Sequence, residues 1–116
     1  MIWTVETHPD FDPELDNLSL GVRRELRAAV LLLSRHGPQL GRPRVDTLKG
    51  SRHANMKELR FDAEGGVWRV AFAFDPQRKA ILLVAGDKKG ANERRFYRNL
   101  IRFADARLDR HLSGKP

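Results

Sequence analysis

The sequence predicts a small α+β domain with its elements in the order β-α-α-β-β-β-α, and three observations carry that prediction. Trp68, Val70, Phe72 and Phe74 alternate on one face after a tight Glu-Gly-Gly turn, the pattern of a β-hairpin. Two longer stretches place apolar residues three and four apart, the spacing of a helix with one buried face. Asp75-Pro76 and Gly90 delimit one more strand between them.

Ile2 to Glu6 has strand character, and the turn chemistry of Pro9, Asp10, Asp12 and Pro13 leads into a short helix ending near Asn17. Ser19 is the N-cap of a second helix, whose stripe is Val22, Leu26, Ala29, Val30 and Leu33; Gly37 and Pro38 stop it. From Gly37 to about Asn55 no period is visible, so this stretch reads as a long irregular loop. Met56 to Phe61 and Val67 to Phe74 are the hairpin strands, joined through Ala63-Glu64-Gly65-Gly66, and Ala80 to about Lys88 is the strand that follows. Asn92 caps the last helix, Glu93 complements its dipole, and Phe96, Tyr97, Leu100, Ile101, Ala104, Leu108 and Leu112 form its stripe.

The chain has 116 residues, 41% hydrophobic and 32% charged, the mixture of a single globular domain over residues 1–116. It has no cysteine, which excludes disulfides, thiolate metal sites and thiol nucleophiles and fits a reducing cytoplasm. Its apolar runs are far shorter than the roughly 18 residues of a membrane span, and Met1 leads into the first strand without a basic n-region, so neither a membrane nor a signal peptide is expected. The histidines His8, His36, His53 and His111 do not cluster, and Gly86 and Gly90 make no phosphate-loop motif; no metal and no cofactor is expected.

The charge is polarised. Residues 1–40 hold six acids and four bases, net −2, whereas residues 41–116 hold nine acids and 18 bases, net +9, so an anionic partner should meet the body of the protein. The hairpin sharpens this. A turn centred on Glu64 and Gly65 sets Arg60 directly opposite Arg69, both pointing away from the bulky face. Like charges opposed on a sheet repel, so the pair makes sense around a phosphate or carboxylate, with Glu58 as a structural salt-bridge partner the alternative. Lys88 and Lys89 must face opposite ways, so one of them joins the arginine face. Strict alternation puts Lys57 on the side of Leu59 and Phe61. The loop residues Arg42, Arg44, Lys49, Arg52 and His53 lie upstream and suit a nucleic-acid backbone. Arg94, Arg95, Arg98 and Arg102 fit a solvated helix face as well as an RNA contact, and Tyr97 reads as packing.

Three segments, GPQLGRPRVDTLKGSRHANMKELRF, WRVAFAFDPQRKAILLVAGDKKG and RRFYRNLIRFADARLDRHL, together resemble the RelE/ParE superfamily of type II toxins, and within it the phage-derived HigB-like branch. The resemblance spans nearly the whole chain. It implies a small antiparallel sheet with two N-terminal helices packed on one face, a basic concave surface on the other, and a helix-turn-helix antitoxin as partner in a toxin–antitoxin hetero-oligomer. RelE-like members are ribosome-dependent mRNA endonucleases, metal-independent, in which the 2′-hydroxyl attacks the adjacent phosphate and leaves a 2′,3′-cyclic phosphate. By that resemblance Arg60 and Arg69 are phosphate clamps, and Lys57 and Lys88 are candidates for base, acid or clamp. Arg42, Arg44, Lys49, Arg52, His53 and Lys89 are the expected RNA contacts, and His53 is a further candidate acid or base. No His or Tyr directly follows the last strand, so no general acid is assigned by position.

An mRNA-cleaving toxin in the cytoplasm is therefore the leading expectation. A ParE-like toxin that poisons gyrase without catalysis would tolerate loss of the arginine face. A non-catalytic nucleic-acid-binding module would bind with steep salt dependence and cleave nothing.

Overall fold

The computed structural model describes residues 2–114, with strands β1 (Thr4–Thr7), β2 (Val45–Thr47), β3 (Lys57–Ala63), β4 (Gly66–Phe74) and β5 (Lys79–Asp87). The helices are α1 (Phe11–Asp16), α2 (Leu20–His36) and α3 (Glu93–Leu112), and a single 3₁₀ turn spans Gly37–Gln39. The hairpin forms as its turn chemistry demands: Glu64 and Gly65 both take positive φ, 50° and 78°, the twist a two-residue connection between strands needs. That turn fixes the register, with Asp62 opposite Val67, Phe61 opposite Trp68 and Arg60 opposite Arg69, as the sequence predicts. The five strands lie in the order β1-β5-β4-β3-β2.

In α2 the Ser19 hydroxyl accepts the Val22 N–H at 3.3 Å, and Val22, Leu26, Ala29 and Leu33 are buried. With Phe11 of α1 they pack on Leu59, Phe61, Val70, Phe72 and Leu82 of the sheet. Gly37 ends the helix at φ 57°, where a β-carbon would run into the Trp3 indole. In α3 the Asn92 side chain accepts the Arg95 N–H at 3.0 Å, and Leu100, Ala104 and Leu108 pack with Ala71, Ala73, Ile81 and Leu83.

The class and every expected element hold in their expected sequence, and three details differ from the expectation. The long loop contains β2, whose three residues pair antiparallel with Leu59, Glu58 and Lys57; a strand this short has no alternation to read and is set by its neighbour. The sheet is mixed: β1 runs parallel to β5, pairing Thr4–Thr7 with Lys79–Leu82, because no hairpin links these two strands and dictates their direction. Finally, α1 and α2 share one face, but α3 covers part of the other. The signal for that second core face is in β4 and β5, whose AFAF and AILLVA runs are apolar at consecutive positions, as in strands covered on both sides.

Candidate nucleic-acid interface

The alternation of β3 and β4 sends Glu58, Arg60, Arg69 and Ala71 to the α3 side of the sheet, where α3 packs on β5 and β4 and leaves the outer part of β3 open. Arg69 is buried there. Its Nε lies 3.6 Å from Glu58 Oε1, and its Nη1 donates to the Trp68 carbonyl at 2.9 Å. The same Glu58 oxygen accepts the Tyr97 hydroxyl at 2.8 Å, which ties α3 to the strands. Burial, reinforced by this carboxylate, pushes the Tyr97 phenol above its ordinary pKa. For Arg69, then, the salt-bridge alternative describes the geometry.

Arg60 differs. It is half-buried, forms no ion pair with any acid among the described residues, and lines a cleft of about 310 Å³ with Pro43, Arg44, Phe61, Asp62 and Arg69. The Nε atoms of Arg60 and Arg69, like that of Arg23 on α2, are buried without a hydrogen-bond acceptor among the described residues. Buried guanidinium nitrogens in that condition call for an acceptor, and an anion in the cleft would supply one.

Of the two lysines after β5, Lys88 joins this face. Its Nζ is 2.9 Å from Glu93 Oε1 and 5.5 Å from the centre of the Tyr97 ring, and it holds the Glu93 carboxyl below its ordinary pKa. Lys89 stands beside the hairpin turn, near Gly65. Lys57 is not brought to the arginines: it pairs with Phe72 and, by alternation, shares the α2 side with Leu59 and Phe61.

The basic loop is divided. Arg44 reaches the Arg60 cleft, and Lys49 lines a larger one of about 870 Å³ with Arg94, Tyr97 and Arg98. Arg42 is paired with Asp46 at 2.7 Å. Arg52 is held by Asp105 and Asp109, and His53 Nε2 lies 2.7 Å from Asp109 Oδ1, so this corner of the loop is fastened to the second half of α3. Sequence reading missed the role of the acidic N-terminal segment and of Tyr97. Glu14 binds Arg107 through two contacts of 2.8 and 2.5 Å, Asp10 pairs with Arg110, and Glu6 lies 3.2 Å from Lys79. No local signal announces such partners; only the helical phase that puts Arg107 beside the core stripe could have suggested it.

These features define a small α+β protein on the RelE-type fold, with cationic clefts on the α3 side of its sheet. The structure of a double mutant of E. coli toxin RelE in the free state superposes with a TM-score of 0.67, covering 93% of this chain and 99% of that one at 12% identity. The family model for phage-derived Gp49-like proteins matches residues 13–109, and the chain belongs to that family. The proposed toxin HigB3 of Mycobacterium tuberculosis is 43% identical over 107 residues, 89% of this chain and 91% of that protein. The proposed toxin HigB2 of the same organism is 48% identical over 87 residues, 74% of this chain but only 43% of the relative's length. No helix among the described residues is long and apolar enough to cross a membrane.

Proposed function

We propose that the protein is the toxin of a type II toxin–antitoxin system and that it is an endoribonuclease acting on mRNA at the ribosome. The observation that carries this reading is the Arg60 guanidinium, half-buried beside Arg44 and Arg69 in an open cleft and in no ion pair with an acid among the described residues. Its kinship with the HigB toxins supports the toxin reading and does not favour gyrase poisoning. In the reaction the RNA 2′-oxygen bonds to phosphorus, the bond from phosphorus to the 5′-oxygen breaks, the 2′-hydroxyl proton leaves to a base, and the 5′-oxygen gains a proton. Arg60 and Arg44 hold the phosphate and stabilise the charge that builds on its oxygens. Arg69, fixed by Glu58, is the rigid wall of the same site. Lys88, held beside the Tyr97 ring by Glu93, is the candidate for moving a proton; Lys57 lies outside the proposed site. The protein partner is a helix-turn-helix antitoxin that assembles with the toxin, and the setting is the cytoplasm, where ribosomes are.

Tightly induced expression tests this. Wild-type protein should arrest growth and create new 5′ ends in mRNA, and Arg60→Ala, folded to the same circular-dichroism spectrum, should do neither. Growth arrest without new RNA ends would overturn the reading.

A further inference from the structure

The arginines of α3 fall into two groups. Arg107 and Arg110 are held by Glu14 and Asp10, whereas Arg94, Arg95, Arg98 and Arg102 are exposed and form no ion pair with any acid among the described residues. Arg94, Arg98 and Arg102 stand four residues apart and so form one row along the helix, about 6 Å from each to the next. Arg102 lies over the Phe103 ring, 5.3 Å from its centre, rather than against a carboxylate. Like charges at this spacing repel, so the row weakens the helix that carries it.

Arg94 and Arg98 also wall the larger cleft, facing the loop that carries Lys49. Three acids line the same cleft, and each is already matched: Asp46 by Arg42 at 2.7 Å, Glu93 by Lys88 at 2.9 Å, and Glu58 by Arg69 and the Tyr97 hydroxyl. The charges left over, Lys49, Arg94 and Arg98, are all positive. Glu58 lines this cleft and its partner Arg69 lines the smaller one, so the two adjoin at that ion pair.

We propose that the Arg94–Arg98–Arg102 row, with Lys49 across the cleft, binds the phosphate backbone of single-stranded RNA outside the cleavage site. The strand leaves the Arg60 cleft at the Glu58–Arg69 pair and follows α3. Repeated guanidinium groups facing open space match repeated phosphates and carry no base preference. This inference rests on RNA being the substrate proposed above, and adds where the strand runs beyond the reacting phosphate.

The test is fluorescence anisotropy with a short labelled 2′-O-methyl RNA, which lacks the attacking hydroxyl and stays intact, over a series of salt concentrations. Arg94→Gln/Arg98→Gln/Arg102→Gln is compared with wild type and with Arg24→Gln/Arg27→Gln/Arg35→Gln, which removes equal charge from exposed positions of α2. The α3 variant should lose affinity by about tenfold or more at low salt, and its log–log salt slope should fall by about 2, at roughly 0.7 per phosphate contact on a single strand. The α2 variant should keep the wild-type slope. Equal losses in the two variants would reduce the effect to net charge and overturn the proposal. So would a wild-type slope in a folded α3 variant, including the case where that variant instead loses its antitoxin. RNA bound along the row by a wild-type protein that cuts no RNA in cells would sink the nuclease reading and leave the row standing.

Discussion

Arg107 and Arg94 are carried by the same helix and meet opposite surroundings. Around Arg107 the chain has collected everything a guanidinium can use: two contacts to the Glu14 carboxylate, the Leu83 carbonyl at 2.7 Å and burial against the sheet. This pairing also raises its pKa. Around Arg94 there is solvent and a cleft whose acids are spoken for. Arg69 and Arg60, opposite each other on β4 and β3, repeat the contrast inside the site: one is held by Glu58, the other forms no ion pair with an acid among the described residues. A paired arginine is part of the scaffold, and an unpaired one facing a cavity is free to bind. Composition treats all four alike, and only the position of the acids separates them.

The largest effect that separates these classes is on catalysis. Arg60→Ala should lower RNA cleavage by roughly 10²- to 10³-fold, the cost of removing one donor that meets developing charge, while the melting temperature stays near that of wild type. Lys57→Ala, on the other side of β3, should leave cleavage within a few-fold of wild type in the same assay. Equal losses would show that the two sides of the strand act together and would break the contrast.

Next in size is the Glu58 pair. Glu58→Ala strands a buried guanidinium and takes the acceptor from the Tyr97 hydroxyl, so denaturant unfolding should register a loss of about 2–4 kcal/mol. Glu58→Gln keeps an acceptor for Tyr97 and should cost less. Arg98→Gln, which removes an exposed and unpaired charge, should change stability by about 0.5 kcal/mol or less. Between these two lies Glu14→Gln, at roughly 1–2 kcal/mol, since Arg107 is buried but the Glu14 side chain is 45% exposed and its charge partly screened.

The same distinction explains which parts were legible in the sequence. The hairpin register, and with it the Arg60–Arg69 opposition, could be read because a two-residue turn fixes strand pairing within a dozen positions. The stripes of α2 and α3 could be read because their period is local. The partners of Arg42, Arg52 and His53 belong to two cases. Asp46 is four residues from Arg42 and lay within reach of inspection, whereas Asp105 and Asp109 are more than fifty residues from Arg52 and His53 and meet them only when the loop folds back on α3. The charges of these residues are engaged within the chain, which composition does not reveal. The α3 row differs from a solvated face only through the fold, which gives each acid of the neighbouring cleft another partner.

His8 gives the smallest and most selective test of how the α1 end of the molecule is held. It is buried, and its Nδ1 accepts the Asp10 N–H at 3.1 Å, which requires that nitrogen to be unprotonated. Burial lowers its pKa from the ordinary 6.5; Asp10 pulls upward, and the nearby charges of Arg110, Arg107 and His111 push further down. Because the folded pKa lies below the unfolded one, the unfolded chain takes up the proton first as the pH falls. Folding stability should therefore be level above about pH 6.5 and decline below it, until the folded-state pKa is passed. Urea unfolding at stepped pH should show that decline in wild type, and His8→Asn, which offers the Asp10 N–H a side-chain oxygen that does not titrate, should flatten it. The cleft on the α3 side contains no part of this group, so RNA affinity at each pH should be the same in both proteins. A matching change in affinity would show that the scaffold end and the binding end of α3 are coupled rather than separate.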